Sequence, residues 1–213
     1  MKQENKPLAY VENEAYFYDK EFFIDENVLI PRFDTERLVE NILKNENSDE
    51  KFVLELGTGS GIICEILQKH RPNWKIISVD ISEKALNVAK KNCDKKIILI
   101  NSDKFSAISA EKQFDIIVSN PPYIETEIIK TLDESVKDFE PMLALDGGES
   151  GLEFYEYLAE NAKHYLKNGG RLYCEIGFNQ GESVPEIFAK NGLVNIRKIK
   201  DYGQNWRVVW ANV

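Results

Sequence analysis

The stretch that decides the fold is Phe52-Val53-Leu54-Glu55-Leu56-Gly57-Thr58-Gly59-Ser60-Gly61, followed directly by Ile62-Ile63-Cys64-Glu65-Ile66-Leu67. Five residues of buried-strand type give way to three glycines in G-x-G-x-G spacing, and a helical apolar period then begins. Strand, glycine loop and helix form the repeating unit of doubly wound sheets, in which ligands bind at the carboxyl ends of the strands. Glycines there let the backbone approach a ligand closely. The dinucleotide fingerprint G-x-G-x-x-G would require glycine where Ile62 stands, so an NAD site is disfavoured.

Working outward, strands are predicted over residues 76–80, 97–101 and 114–119, alternating with helices over 62 to about 70 and 83–91. Such alternation implies a mainly parallel sheet covered on both faces. Upstream, residues 16–30 alternate aromatic and aliphatic about Asp19 and Lys20 and read as a β-hairpin ending at Pro31. Asp34 reads as the N-cap of an amphipathic helix carrying Leu38, Val39, Ile42 and Leu43. Downstream come a helix over 152–167 closed by Gly169 and Gly170, a strand over 171–176 and a helix over 182–190. Strands 194–200 and 206–210 form an antiparallel pair. The expected fold is therefore α/β: a doubly wound, mainly parallel seven-stranded sheet with an N-terminal β-hairpin and an antiparallel C-terminal strand pair. Residues 1–33 are assigned to a linker and hairpin, and 34–213 to the main domain. The irregular segment 120–150 is longer than compact domains leave unstructured, which points to function.

The chain of 213 residues, 43% hydrophobic, suits one domain with a full core. Its three cysteines form no C-x-x-C pair and read as reduced packing residues. No apolar leader or eighteen-residue apolar run occurs, so a soluble, cytoplasmic protein without membrane contact is expected. A net charge of -9 argues against a phosphate backbone as partner.

Asp80 closes the second strand of the alternation, where a carboxylate accepts the two ribose hydroxyls of a nucleoside. Ile81 would lie against the base, and Ser102 with Asp103 would meet the adenine amino group. After strand 114–119 comes Asn120-Pro121-Pro122-Tyr123. The prolines stiffen the backbone and hold Asn120 extended. The lone pair of an amide nitrogen is delocalised into its carbonyl, so two acceptors, the Asn120 side-chain oxygen and the Pro121 carbonyl, would localise it by holding both amide hydrogens. Tyr123 would cover the flat face of the group, and catalysis would be alignment and electrostatics, with no metal. His70 and His164 stand alone and read as surface positions, and no G-x-S-x-G elbow is present.

Asn-Pro-Pro-Tyr after a G-x-G-x-G loop is shared by glutamine-N5, adenine-N6 and some guanine-N2 methyltransferases. Longer blocks discriminate: Leu29-Ile30-Pro31-Arg32-Phe33-Asp34-Thr35-Glu36, Phe139-Glu140-Pro141 with Ala144-Leu145, Gly147-Gly148-Glu149-Ser150-Gly151-Leu152, Glu175-Ile176-Gly177 with Gln180-Gly181, and Asp201-Tyr202-Gly203 with Asn205 and Arg207. In this order they closely resemble the HemK family, the peptide chain release factor glutamine methyltransferases. The resemblance implies a Rossmann-like class I methyltransferase that uses S-adenosylmethionine, leaves S-adenosylhomocysteine and methylates the glutamine of the Gly-Gly-Gln motif in class 1 release factors. It implies cofactor contacts from Glu55, Gly57, Thr58, Gly59, Ser60, Gly61, Asp80, Ile81, Asp103, Lys104, Phe105 and Asn120. Asn120, Pro121 and Tyr123 would be catalytic, and Asn120, Pro121, Pro122 and Tyr123 would bind substrate. Phe33 replaces the family's usual proline. Lys104 stands where an aromatic residue often flanks the adenine, leaving that wall to Phe105 or Ile81. The family's helical N-terminal domain has no counterpart here, the chain opening at the linker, so weaker release factor recognition is expected. The alternatives are a nucleic-acid methyltransferase acting on an exocyclic amine, which would want a basic groove and a target-recognition segment, and a binding module that has lost activity, against which the intact Gly57, Asp80, Asn120 and Tyr123 speak.

Overall fold

The computed structural model describes residues 5–213. A short helix α1 (Leu8–Glu12) leads into a hairpin, β1 (Glu14–Phe17) and β2 (Lys20–Phe23), and then α2 (Phe33–Asn45). The doubly wound part follows as β3 (Phe52–Leu56), α3 (Ile62–His70), β4 (Lys75–Asp80), α4 (Glu83–Asn92), β5 (Ile98–Asn101) and β6 (Phe114–Ser119). Three single-turn helices, α5 (Thr126–Ile129), α6 (Glu134–Lys137) and α7 (Met142–Leu145), occupy the segment expected to be irregular. The chain closes with α8 (Glu153–Asn161), β7 (Leu166–Glu175), α9 (Ser183–Lys190), β8 (Val194–Lys200) and β9 (Trp206–Asn212).

The seven strands run in the order β5-β4-β3-β6-β7-β9-β8. β3, β4, β5, β6 and β7 are parallel, whereas β9 lies between β7 and β8 and is antiparallel to both. The central strands read as near-continuous apolar runs because both faces are covered. Val53, Ile116 and Val118 pack under α2 and α3, and Leu54, Leu56 and Ile117 pack under α8 and α9. α2 turns Thr35, Leu38, Val39 and Ile42 inward at helical spacing. The hairpin region has a small core of its own, in which Tyr10, Ile24 and Val28 meet Ala85 and Val88 of α4.

Three expectations need correction. The helix anticipated over 152–167 is α8 plus one 3-10 turn (Ala162–His164), after which the chain is already in β7, with Leu166 paired to Phe114. Gly169 and Gly170 sit inside that strand, at the irregularity where the register jumps to Ile116 opposite Arg171. Two glycines after a polar stretch signal either a helix end or a bulge, and strand pairing decides for the bulge. The strands of the hairpin are shorter than residues 16–30 suggested, since only Glu14–Phe17 and Lys20–Phe23 pair. α2 begins at Phe33 with Arg32 as its N-cap, while the Asp34 carboxylate meets the Arg207 guanidinium at 3.0 Å instead of capping.

The bulge is sterically committed. A Cβ on Gly170 would lie 2.9 Å from the Lys167 carbonyl and 3.2 Å from that of Asp115, while one on Gly169 would meet nothing. Gly169 needs glycine for a different reason, a backbone φ of +79° that L side chains rarely adopt. Gly170→Ala should therefore lower unfolding free energy by about 1–3 kcal/mol through the close contacts, and Gly169→Ala by about 1–2 kcal/mol through backbone strain, in urea titrations. A Gly170→Ala variant as stable as the parent would contradict the bulge.

Candidate active site

The chain moves from β3 out to β5 and returns beside β3 as β6, so the order of the sheet switches at the β3–β6 pair. The register sets Leu56 opposite Ser119. The loops that follow, 57–61 and 120–123, consequently leave the same sheet edge side by side, and an added Cβ on Gly57 would lie 3.8 Å from the Asn120 carbonyl oxygen. A cavity opens there. Its floor is Gly57, Thr58, Gly59 and Ser60, and one wall is Asp80 and Ile81. Ser102, Asp103 and Lys104 close its far end, and Asn120 and Pro122 its near end.

Asp80 is held by two backbone donors, Gly59 N–H to Oδ2 and Ser82 N–H to Oδ1, both at 2.8 Å. Each oxygen keeps a further lone pair for a ligand hydroxyl. Burial nevertheless pushes this carboxyl above its ordinary range, with the two N–H bonds opposing. Ile81 is 54% exposed at the rim, an apolar face available to a flat base. Gly57 and Thr58 donate together to the Val79 carbonyl at 2.8 and 3.0 Å, tying the glycine loop to β4.

At the other end Asn120 Nδ2 donates to Thr35 Oγ1 of α2 at 3.3 Å. Among the described residues neither Asn120 Oδ1 nor the Pro121 carbonyl accepts a hydrogen bond. The 144–151 block clasps this loop. Ile124 N–H meets the Leu145 carbonyl, and Gly147 N–H meets that of Ile124. A Cβ on Gly147 would fall 2.8 Å from Tyr123 Cα and one on Gly151 2.6 Å from the Tyr123 carbonyl, so only glycine allows the close approach. Buried Gln180 completes the clasp, its Nε2 donating to the carbonyls of Tyr123 and Gly151 at 3.1 and 3.0 Å while Oε1 accepts from Gly177 N–H. Burial raises the Tyr123 hydroxyl pKa, Glu175 adding to the rise and Arg207 opposing it.

The cavity thus brings together Gly57, Thr58, Gly59, Ser60, Asp80, Ile81, Ser102, Asp103, Lys104, Asn120 and Pro122. Tyr123 does not line it, its side chain packing against the main core, and others also lie outside. Phe105 is 2% exposed and stacks on Tyr165, ring centroids 4.1 Å apart, so it belongs to the core and not to an adenine wall. The aromatic residue lining that region is Phe154 of α8, with the Lys104 ammonium 5.6 Å from its ring centre. The Ser102 hydroxyl is engaged by the Lys104 carbonyl at 2.9 Å. Gly61 caps α3 behind the loop, and Pro121 is buried. Glu55 is wholly buried beneath the loop, where its carboxylate accepts from Ser78, which bonds Thr58 Oγ1 at 2.7 Å. Residues to which sequence reasoning gave no role also line the cavity: Leu29, Pro31, Arg32 and Thr35 on one side, Leu143, Ala144 and Phe154 on the other. Arg32 pairs with buried Glu140, coupling two blocks of the family signature.

A family model described as Methyltransferase small domain matches residues 32–147. A methyltransferase from Pyrococcus furiosus of known structure superposes with a TM-score of 0.63 at 21% identity, covering 99% of this chain and 94% of that one, a likeness that speaks to the fold. Fold, loop and sheet-edge site define a methyltransferase of Rossmann-like class I architecture. The chain is 45% identical over 210 residues to the release factor glutamine methyltransferase of Streptococcus pneumoniae, covering 96% of this chain and 75% of that protein. It is 39% identical over 203 residues to that of Thermodesulfovibrio yellowstonii, covering 92% and 72%. The chain belongs to the release factor glutamine methyltransferase family.

Burial raises the Glu55 carboxyl from 4.5 to about 7, with the hydrogen bond from Ser78 opposing. A carboxyl that binds its proton more tightly when folded contributes stability fully present below pH 4.5 and lost as pH rises through about 7. Glu55→Gln should therefore gain stability over the parent between pH 5 and 8, by about 3 kcal/mol at most, in urea titrations at stepped pH. Parallel pH profiles for the two proteins would contradict this assignment.

Proposed function

We propose that this chain transfers the methyl group of S-adenosylmethionine to the N5 side-chain amide of the glutamine in the Gly-Gly-Gln motif of class 1 peptide chain release factors, acting in the cytoplasm. The observation that carries the reading is the pair of unused acceptors, Asn120 Oδ1 and the Pro121 carbonyl, on a proline-stiffened loop beside Gly57. When bound, the cofactor supplies a methyl group on a sulfonium, which leaves as a neutral thioether.

The residues present fit that cofactor. Asp80 keeps a free lone pair on each oxygen for a ribose diol, Gly59 leaves open space above the loop where a Cβ would meet nothing within 4 Å, and Ile81 with Phe154 offers apolar cover for the base. Asn120 Oδ1 and the Pro121 carbonyl each hold one hydrogen of the substrate amide. Held so, the nitrogen lone pair is drawn out of conjugation and faces the glycine loop. The nitrogen gains a methyl group and releases one proton to solvent, so alignment and electrostatics carry the rate. Tyr123, kept protonated, covers the face of the amide. The net charge of -9 disfavours a nucleic acid in this role.

Asn120→Ala should leave cofactor affinity nearly unchanged and reduce turnover about a hundred- to a thousandfold, followed as methyl incorporation into release factor by mass spectrometry. Turnover within about threefold of the parent, under ~0.7 kcal/mol, would show that another group aligns the amide. In calorimetry Asp80→Ala should lose most cofactor affinity while the protein stays folded. Unchanged affinity would refute the ribose assignment.

A further inference from the structure

Pro121 and Pro122 carry no N–H, so the stretch from Asn120 to Pro122 has almost no backbone donor with which to fix itself. Its backbone is held at the two ends. Upstream, the Ser119 hydroxyl donates to the Leu56 carbonyl at 2.7 Å. Downstream, the first anchored peptide unit joins Tyr123 to Ile124: the Ile124 N–H meets the Leu145 carbonyl at 3.0 Å, and the Tyr123 carbonyl accepts from Gln180 Nε2 at 3.1 Å. The prolines fix φ at two successive residues, so the arm between the anchors is stiff. A turn of the Tyr123 peptide is therefore carried back to the Pro121 carbonyl and Asn120.

Gln180 stands in the turn between β7 and α9, is 5% exposed and does not line the cavity. Its amide is committed wholly to backbone groups. Oε1 accepts from the Gly177 N–H at 2.9 Å, and Nε2 donates to the Tyr123 and Gly151 carbonyls at 3.1 and 3.0 Å. An N–H only donates and a carbonyl only accepts, so the facing of this amide is fixed and both its hydrogens are used. The Gln180 N–H closes the same turn on the Gly177 carbonyl at 2.9 Å, which gives the side chain a rigid base. Without the NH2, two carbonyl oxygens would converge on a site that holds no donor, which is costly where water is scarce. Gly151 cannot move inward to relieve this, since even a Cβ there would lie 2.6 Å from the Tyr123 carbonyl oxygen. The Tyr123 peptide has to turn instead.

We propose that Gln180 is a positioning residue for methyl transfer: by holding the Tyr123 carbonyl it sets the proline arm, and with it the Pro121 carbonyl that takes one hydrogen of the substrate amide. This rests on the reading of an amide nitrogen as methyl acceptor. The half of the cavity built from Gly57 and Asp80 hangs on β3 and β4 and is not reached through Gln180, so cofactor binding is spared. The adjoining elements carry Glu125, Glu149, Glu175, Glu182 and Arg207, and among the described residues none of these side chains hydrogen-bonds Gln180. Burial and this excess of acids would both raise a carboxyl placed at the same position.

The test is turnover of full-length release factor by the whole chain with methyl-labelled S-adenosylmethionine, with cofactor affinity measured by calorimetry in parallel. Gln180→Met keeps the length of the side chain and removes every hydrogen bond of its amide. It should lower turnover about tenfold to a hundredfold, the scale of a misplacement near 1 Å, with cofactor affinity and the Michaelis constant for release factor nearly unchanged. Gln180→Glu is the rescue. As the neutral acid it donates its O–H to one carbonyl and accepts from Gly177, whereas the carboxylate sets oxygen against oxygen at both carbonyls. Its turnover relative to the parent should therefore rise as pH is lowered from about 9 to about 5. Parental turnover in Gln180→Met, cofactor affinity that falls in step with turnover, or a Gln180→Glu ratio that is flat with pH overturns the proposal. Should Gln180→Met fail to fold, the pH course of that ratio decides alone. A parent that leaves the glutamine unmethylated at every pH overturns the functional reading, and this inference with it.

Discussion

The site depends on one pairing, the parallel register of β3 with β6 that sets Leu56 against Ser119. Because the two strands end level with each other at the switch in sheet order, the glycine loop and the Asn120 loop emerge in contact. Neither loop is a site by itself. The glycine loop is a cradle without a partner, and Asn-Pro-Pro-Tyr is a rigid turn with two spare acceptors. Shifting β6 by one residue would exchange its core and opposite faces and carry Asn120 away from Gly57.

Around that pairing the remaining signature blocks act as scaffolding for two peptide units. Gly147 and Gly151 let the 144–151 segment lie against the backbone of Pro122 and Tyr123, and Gln180 ties both to the turn after β7. Arg32 with Glu140 joins the start of α2 to the segment before α7, and Arg207 with Asp34 joins β9 to the same helix. α2 is thus fixed from both sides, which places Thr35 under Asn120. The buried polar groups here are expensive, and polar networks of this kind give uniqueness of geometry more than stability.

Much of this was legible in the sequence. The β–α alternation, the seven-strand count, the hairpin and the antiparallel C-terminal pair follow from periodicity, because strands buried on both faces and amphipathic helices leave distinct patterns. The site residues nearest the sheet edge, Gly57, Asp80 and Asn120, were legible for the same reason: each directly follows or ends a strand. What failed was local ambiguity that tertiary pairing resolves. Gly169 and Gly170 could close a helix or bulge a strand, and only the partner Phe114 decides. Phe105 carried the chemistry of an adenine wall, but its position in an aromatic stack with Tyr165 cannot be read from spacing. Phe154 reaches the cavity from a helix far along the chain, and no local pattern announces it.

The most direct measurement is a crystal structure of the chain with S-adenosylhomocysteine and a peptide carrying the Gly-Gly-Gln motif. The account predicts the glutamine amide nitrogen within hydrogen-bonding distance of both Asn120 Oδ1 and the Pro121 carbonyl, with Asn120 Nδ2 still turned to Thr35 and the cofactor ribose on Asp80. A glutamine side chain bound elsewhere, or held by Asn120 through its nitrogen, would contradict it.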